Sequence, residues 1–81
     1  MKIKITKNMK KQYFIQDSLV KKQIRKVIIK LRKGSIELEK LSTGKNIYKI
    51  RIGDYRILVK KSDDTYFLIG IKHRKEVYRD I

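Results

Sequence analysis

The sequence predicts a small α+β domain, and three observations carry that prediction. Apolar residues between positions 17 and 33 recur at helical spacing, and a shorter helical stretch precedes them. From Asn46 to Tyr78 the pattern changes to alternation with a period of two, interrupted by Gly-Asp and Ser-Asp-Asp, which reads as three antiparallel strands and a short tail. The 81-residue length has room for one layer packed on another, so residues 1–81 are expected to form a single domain.

Taken in order, Lys2, Ile3, Lys4 and Ile5 alternate as a short half-buried strand does. Asn8 is expected to cap a short helix through Ile15, with Met9 and Tyr13 on one face. Asp17 or Ser18 opens the main helix. Val20, Ile24, Val27, Ile28 and Leu31 form its apolar stripe, Lys21, Lys22, Arg25, Lys26, Lys30, Arg32 and Lys33 lie mostly elsewhere around it, and Gly34 ends it. Ile36, Leu38 and Leu41 are expected to cover a core edge before a turn at Ser42, Thr43 and Gly44.

In the strand region, Gly53 and Asp54 form a two-residue hairpin loop, with Gly supplying the positive φ of a type II′ turn. The loop length fixes the register: Ile52 faces Tyr55, Arg51 faces Arg56, Ile50 faces Ile57 and Lys49 faces Leu58. Ser62, Asp63 and Asp64 form the next turn. Phe67, Ile69 and Ile71 are then assigned to the core face, and Tyr66, Leu68, Gly70 and Lys72 to the other.

Twenty-three Lys and Arg against eight Asp and Glu give a formal charge of +15, spread along the chain, which points to nucleic acid or a strongly acidic protein as partner. The absence of cysteine removes disulfides and thiolate metal sites and suits a reducing cytoplasm. Neither a signal peptide nor a membrane-spanning run is expected, so the protein is read as cytoplasmic with no membrane partner.

The strand parity gathers a candidate site. Lys49, Arg51, Arg56 and Lys72 fall on the face opposite the core, with Tyr66 beside them as a ring on which an RNA base can stack. Like charges at Arg51 and Arg56 directly across a ladder destabilise a sheet by a few tenths to about 1 kcal/mol, a cost that makes sense where an anion lies between them. His73, the only histidine, and Tyr78 are the candidates for proton transfer. The carboxylates are scattered along the chain, so no metal or other cofactor is expected. Without a cysteine or a convincing serine nucleophile, the site suits attack by a group of the substrate itself, such as the 2′-hydroxyl of RNA. A solvated basic face with no catalytic role is the plain alternative.

Two stretches, LSTGKNIYKIRIGDYRILV and IGIKHRKEVY, resemble the RelE/ParE superfamily of type II toxins. The resemblance covers residues 41 to 78 well and the N-terminal part more loosely. It implies a small antiparallel sheet with two N-terminal helices packed on one face. RelE-like members of the superfamily cleave mRNA in the ribosomal decoding site without metal, by 2′-hydroxyl attack, and are neutralised by a cognate acidic antitoxin. ParE-like members instead poison DNA gyrase. Carried onto this chain, the resemblance makes Lys49, Arg51, Arg56, Arg74 and Tyr78 the catalytic set. His73 stands where some members carry another basic residue, so either His73 or Tyr78 is the general base.

Overall fold

The computed structural model describes residues 2–41 and 46–74. Five strands form one sheet in the order β1-β5-β4-β3-β2, where β1 is Lys2–Ile5, β2 Glu39–Lys40, β3 Ile47–Ile52, β4 Tyr55–Ser62 and β5 Thr65–His73. The pairs β3–β4 and β4–β5 are antiparallel, as expected; β2, a strand the sequence pattern does not show, adds to β3 antiparallel, and β1 joins β5 in parallel, which makes the sheet mixed. Two helices, α1 (Lys7–Phe14) and α2 (Ser18–Lys33), connect β1 to the rest of the sheet and pack on one side of it. The α+β class with two N-terminal helices on one face is therefore what the chain adopts.

Helix ends are set by local chemistry. Asp17 caps α2 by accepting a hydrogen bond from the Val20 amide, and Gly34 closes it in the left-handed conformation at φ 71°. The stripe of Ile24, Val27 and Leu31 is buried against Ile50, Ile52, Ile57, Val59, Leu68 and Ile71 of the sheet. Burying each such side chain fully contributes about 1.5–3 kcal/mol, so this layer is the main source of stability.

The cap of α1 differs from expectation. Thr6, not Asn8, accepts the hydrogen bond from the Met9 amide, and its hydroxyl also donates to the Leu68 carbonyl at 3.1 Å. Asn8 is instead turned toward the sheet, donating to the Ile69 carbonyl at 2.9 Å, while Gln12 accepts from the Ile71 amide. The reason is topological. The pairing of β1 with β5 runs only as far as Ile5 and Leu68, so the next backbone groups of β5 need other partners. Two amide side chains one helical turn apart supply them. Gly70 permits this close approach, since a Cβ there would stand 3.1 Å from Gln12 Oε1 and 3.2 Å from Asn8 Nδ2.

Beyond Leu58 the register of β5 departs from simple alternation. Leu58 pairs with Gly70, but Val59 pairs with Leu68, leaving Ile69 as an extra residue in β5. This bulge reverses the face of every residue before it. Leu68 is fully buried in the main core and Tyr66 packs against that core, so the assignment of these two to the opposite face is corrected. Ile71, beyond the bulge, keeps its expected core position. Ile69, expected in the main core, packs on the other side of the sheet with Leu41, Leu58 and Ile47, and Phe67 lies beside it.

Candidate RNA-binding and catalytic face

The hairpin at Gly53 builds the site. Gly53 has φ 60° and Asp54 has no positive φ, the combination of a type II′ turn, and the pairs Ile52–Tyr55, Arg51–Arg56, Ile50–Ile57 and Lys49–Leu58 follow as expected. A two-residue loop closes on a hydrogen-bonded pair. The next pair, Arg51–Arg56, is therefore of the close type, with Cα atoms about 4.5 Å apart.

Register then extends the pair into a row. Arg56 also pairs with Lys72 of β5, so Arg51, Arg56 and Lys72 lie abreast on three adjacent strands, on the face away from the helices. With strands about 4.8 Å apart, the three side chains start from a span of about 10 Å. One step farther from the hairpin, Glu39, Lys49, Leu58 and Gly70 form a second row. Arg74 continues past Lys72: its amide donates to the Asp54 carbonyl at 2.8 Å, and its guanidinium stands 3.9 Å from the Asp54 carboxylate. Five of the predicted residues, Lys49, Arg51, Arg56, Lys72 and Arg74, are thus brought to one end of one face.

Their settings differ. Arg56 is half-buried, and its Nη1 donates to the carbonyls of Gly53 and Tyr55 at 3.1 and 2.8 Å, so the guanidinium is held on the hairpin instead of sweeping through solvent. Arg51 is open, with 65% of its side chain exposed, whereas Lys49 keeps only 11%. Between them sits Glu39, whose carboxylate lies 3.7 Å from Lys49 Nζ and 3.8 Å from Arg51 Nε. The Arg51–Glu39 pair is long and exposed on both sides, the kind that contributes about 0–1 kcal/mol, so a phosphate can displace the carboxylate from Arg51 at little cost.

Glu39 was not legible as part of the site. Its strand is two residues long and no periodicity links it to β3; the turn expected at Ser42, Thr43 and Gly44 lies outside the described residues. The available signal is only that an acid, in a chain with eight of them, precedes Lys49 by ten residues.

Two predicted members are not on this face. Tyr66 lies before the bulge and packs on the helix side, so it cannot stack a base beside the arginines. His73 follows Lys72 by one residue and therefore points to the opposite side, where its ring meets Tyr55 edge-on at 5.6 Å between centroids. It stands with the aromatic edge of the core, not in the cation row. Tyr78 lies outside the described residues. Among the described residues, no three His, Asp or Glu side chains converge as metal ligands.

A larger, apolar cleft of about 470 Å³ lies away from this chemistry, beside α1 and α2, lined by Ile5, Met9, Tyr13, Phe14, Ile24 and Ile28. Lys10 and Arg25 stand at its rim, and Arg25 donates to the Tyr13 hydroxyl at 2.7 Å. Phe14 is 68% exposed there, and Leu19 and Ile15 are exposed nearby. Its apolar lining suits a protein partner better than a charged substrate. No described helix is long and apolar enough to cross a membrane.

Comparison with known proteins agrees with the architecture. Residues 3–78 match the family model described as the ParE toxin of the type II toxin–antitoxin system parDE. Toxin RelE3 of Methanocaldococcus jannaschii is 35% identical over 43 residues; the match spans 53% of this chain and about half, 49%, of that relative. The fold is similar to the RelB–RelE antitoxin–toxin complex of Methanococcus jannaschii, with TM-score 0.79 and 25% identity over 94% of this chain and 95% of that one. It also resembles the intact RelBE toxin–antitoxin complex of E. coli, with TM-score 0.71 and 23% identity over 89% and 94% of the two chains.

Proposed function

The chain belongs to the RelE/ParE superfamily of type II toxin–antitoxin toxins, and from that membership we propose that it is a ribosome-dependent endoribonuclease that cleaves mRNA in the decoding site. The observation that carries this reading is the row of Arg51, Arg56 and Lys72 with Lys49 beside it, a cation array at the hairpin end of the sheet face away from the helices. Guanidinium groups donate paired hydrogen bonds to phosphate oxygens, and the hairpin holds Arg56 ready to do so.

In the proposed reaction the ribose 2′-oxygen attacks the adjacent phosphorus and the bond from phosphorus to the 5′-oxygen breaks. The products are a 2′,3′-cyclic phosphate and a free 5′-hydroxyl. Arg51, Arg56 and Lys49 bind the phosphate and offset charge growing on its non-bridging oxygens. Tyr78 is assigned the 2′-hydroxyl proton, because His73 is turned to the other side of the sheet, and the departing 5′-oxygen takes its proton from water. Arg74, anchored on Asp54, extends the cation array beside the leaving group. No metal or other cofactor enters this scheme.

The proposed partners are the ribosome with its mRNA and a cognate acidic antitoxin. The cleft beside α1 and α2, apolar inside and basic at its rim, fits an acidic amphipathic segment of that antitoxin. The alternative reading is a non-enzymatic gyrase poison, the activity that the resemblance allows for ParE-like members. A gyrase poison needs no preorganised phosphate site, so the cation row favours the nuclease. Mapping 5′ ends after incubation with ribosomes carrying a defined mRNA tests the proposal; uncut mRNA together with stabilised gyrase–DNA cleavage complexes would replace it with the second reading.

A further inference from the structure

The bulge in β5 is what puts Lys72 in the cation row. Without an extra residue at Ile69, the Val59–Leu68 pairing would continue as Leu58–Ile69, Ile57–Gly70, Arg56–Ile71 and Tyr55–Lys72. A slip of one residue exchanges the faces of a strand, so Ile71 would stand beside Arg56 on the open face and Lys72 would turn to the helix side. With the bulge, Ile71 is buried in the core and Lys72 lies abreast of Arg56. An extra residue disrupts the ladder locally, and its place along the strand has to be fixed by something outside the ladder.

Helix α1 supplies that fixture. On the outer edge of β5, the pairing with β1 ends at Ile5 and Leu68, which leaves the outward backbone groups of Ile69 and Ile71 without a strand partner. Asn8 Nδ2 donates to the Ile69 carbonyl at 2.9 Å, and Gln12 Oε1 accepts from the Ile71 amide. The two bonds grip the backbone on either side of Gly70, where a Cβ would crowd both amides. Each bond has its own polarity: position 8 must donate and position 12 must accept. Packing alone would ask only for apolar side chains there, as Met9 provides on the buried side of the same helix.

We infer that Asn8 and Gln12 are positioning residues of the candidate site: by clamping Ile69 and Ile71 they fix the bulge, and so hold Lys72 beside Arg56 where it meets the RNA phosphate. Neither amide touches RNA in this account. The functional half of the inference rests on the RNA-directed reading of the row.

A double-mutant cycle on affinity for a 2′-O-methyl oligoribonucleotide, which has no attacking hydroxyl, separates positioning from contact. Lys72→Ala should weaken binding about tenfold, the order of one hydrogen bond to a charged group. Asn8→Ala/Gln12→Ala, which removes no charge, should approach the same loss. In the Lys72→Ala background it should cost nothing further, because the lysine through which the amides act is gone. Without RNA, Gln12→Ala should speed hydrogen exchange of the Ile71 amide at least about tenfold, in line with loss of its one acceptor. Gln12→Glu, which keeps the acceptor, should restore the protection and leave the Lys72 amide resonance in place. Asn8→Asp adds the same charge but cannot donate, and should displace that resonance as Asn8→Ala does.

An affinity unchanged by the double substitution overturns the assignment. So does a full further loss in the Lys72→Ala background, since the amides would then meet the RNA themselves. Unaltered Ile71 exchange in Gln12→Ala, or a Lys72 resonance moved equally by Gln12→Glu and Asn8→Asp, overturns it as well. A wild type that binds no RNA refutes instead the RNA-directed reading of the row, and the clamp then stands or falls on the exchange and resonance measurements.

Discussion

The basic row at the hairpin and the apolar cleft beside the two helices are both open to solvent, and they are built in opposite ways. At the row, charge is concentrated where the backbone is most fully determined: strand register places Arg51, Arg56 and Lys72, and hairpin carbonyls hold Arg56. At the cleft, apolar side chains at the surface, Phe14 above all, adjoin the core without being covered by it. A fixed array of like charges costs stability and is useful only against an anion, whereas exposed apolar surface invites another protein. Two classes of partner, addressed by different parts of one small chain, fit a toxin held by an antitoxin and directed at RNA.

That contrast can be broken from either side. The largest effect is expected at the row: Arg56→Ala should slow cleavage of ribosome-bound mRNA by about 100- to 1,000-fold, since one preorganised donor contributes about 2.7–4 kcal/mol to such a transition state. Thermal unfolding should barely move. If single-turnover rates were unchanged, Arg56 would be a structural arginine and the row no phosphate site.

At the junction of cleft and core, Ile24→Ala should destabilise the fold by about 2–5 kcal/mol in urea titrations, because the side chain is fully buried. Its cleavage rate per folded molecule should stay near wild type. Phe14→Asp has the reverse separation from Arg56→Ala. It should weaken neutralisation by the acidic partner by about 2 kcal/mol, roughly thirtyfold, with cleavage intact, as expected for loss of an aromatic anchor. Equal neutralisation of variant and wild type, in co-expression or calorimetry, would move the partner off this cleft.

The smallest effect is at Glu39. Replacing it by Gln removes an exposed carboxylate 3.7 and 3.8 Å from Lys49 and Arg51, changing stability by less than about 1 kcal/mol. Affinity for a 2′-O-methyl RNA should rise severalfold as a competing negative charge leaves the site. A fall would show that Glu39 orders the site instead of competing for it.

Much of this design is readable in the residues. The period-two stretch around Gly53-Asp54 determines the Arg51–Arg56 pair, because a two-residue loop leaves one register and one set of faces. The stripe of α2 is equally plain, from the Asp17 cap to the Gly34 stop. What the pattern conceals is the bulge at Ile69. Tyr66, Phe67, Leu68 and Ile69 are all large and apolar in part, so either parity buries something, and one inserted residue exchanges their faces without leaving a polar residue in the wrong place.

The cap of α1 was obscured for a related reason. Thr6 and Asn8 are both good capping residues, and the choice between them depends on where β1 stops along β5, a tertiary fact. His73 followed from parity once Lys72 was placed, but its neighbourhood among Lys72, Arg74 and Lys75 in sequence drew it toward a site that its ring does not face.

The central claim is that the row of cations on the open sheet face holds a scissile RNA phosphate. Mapping of 5′ ends on a defined mRNA, incubated with ribosomes and either wild type or Arg56→Ala, tests it in one experiment. Discrete 5′-hydroxyl ends within the decoding site for the wild type, reduced at least a hundredfold in the variant, are the predicted result. Intact mRNA with the wild type, or the same ends at the same rate with both proteins, would contradict it.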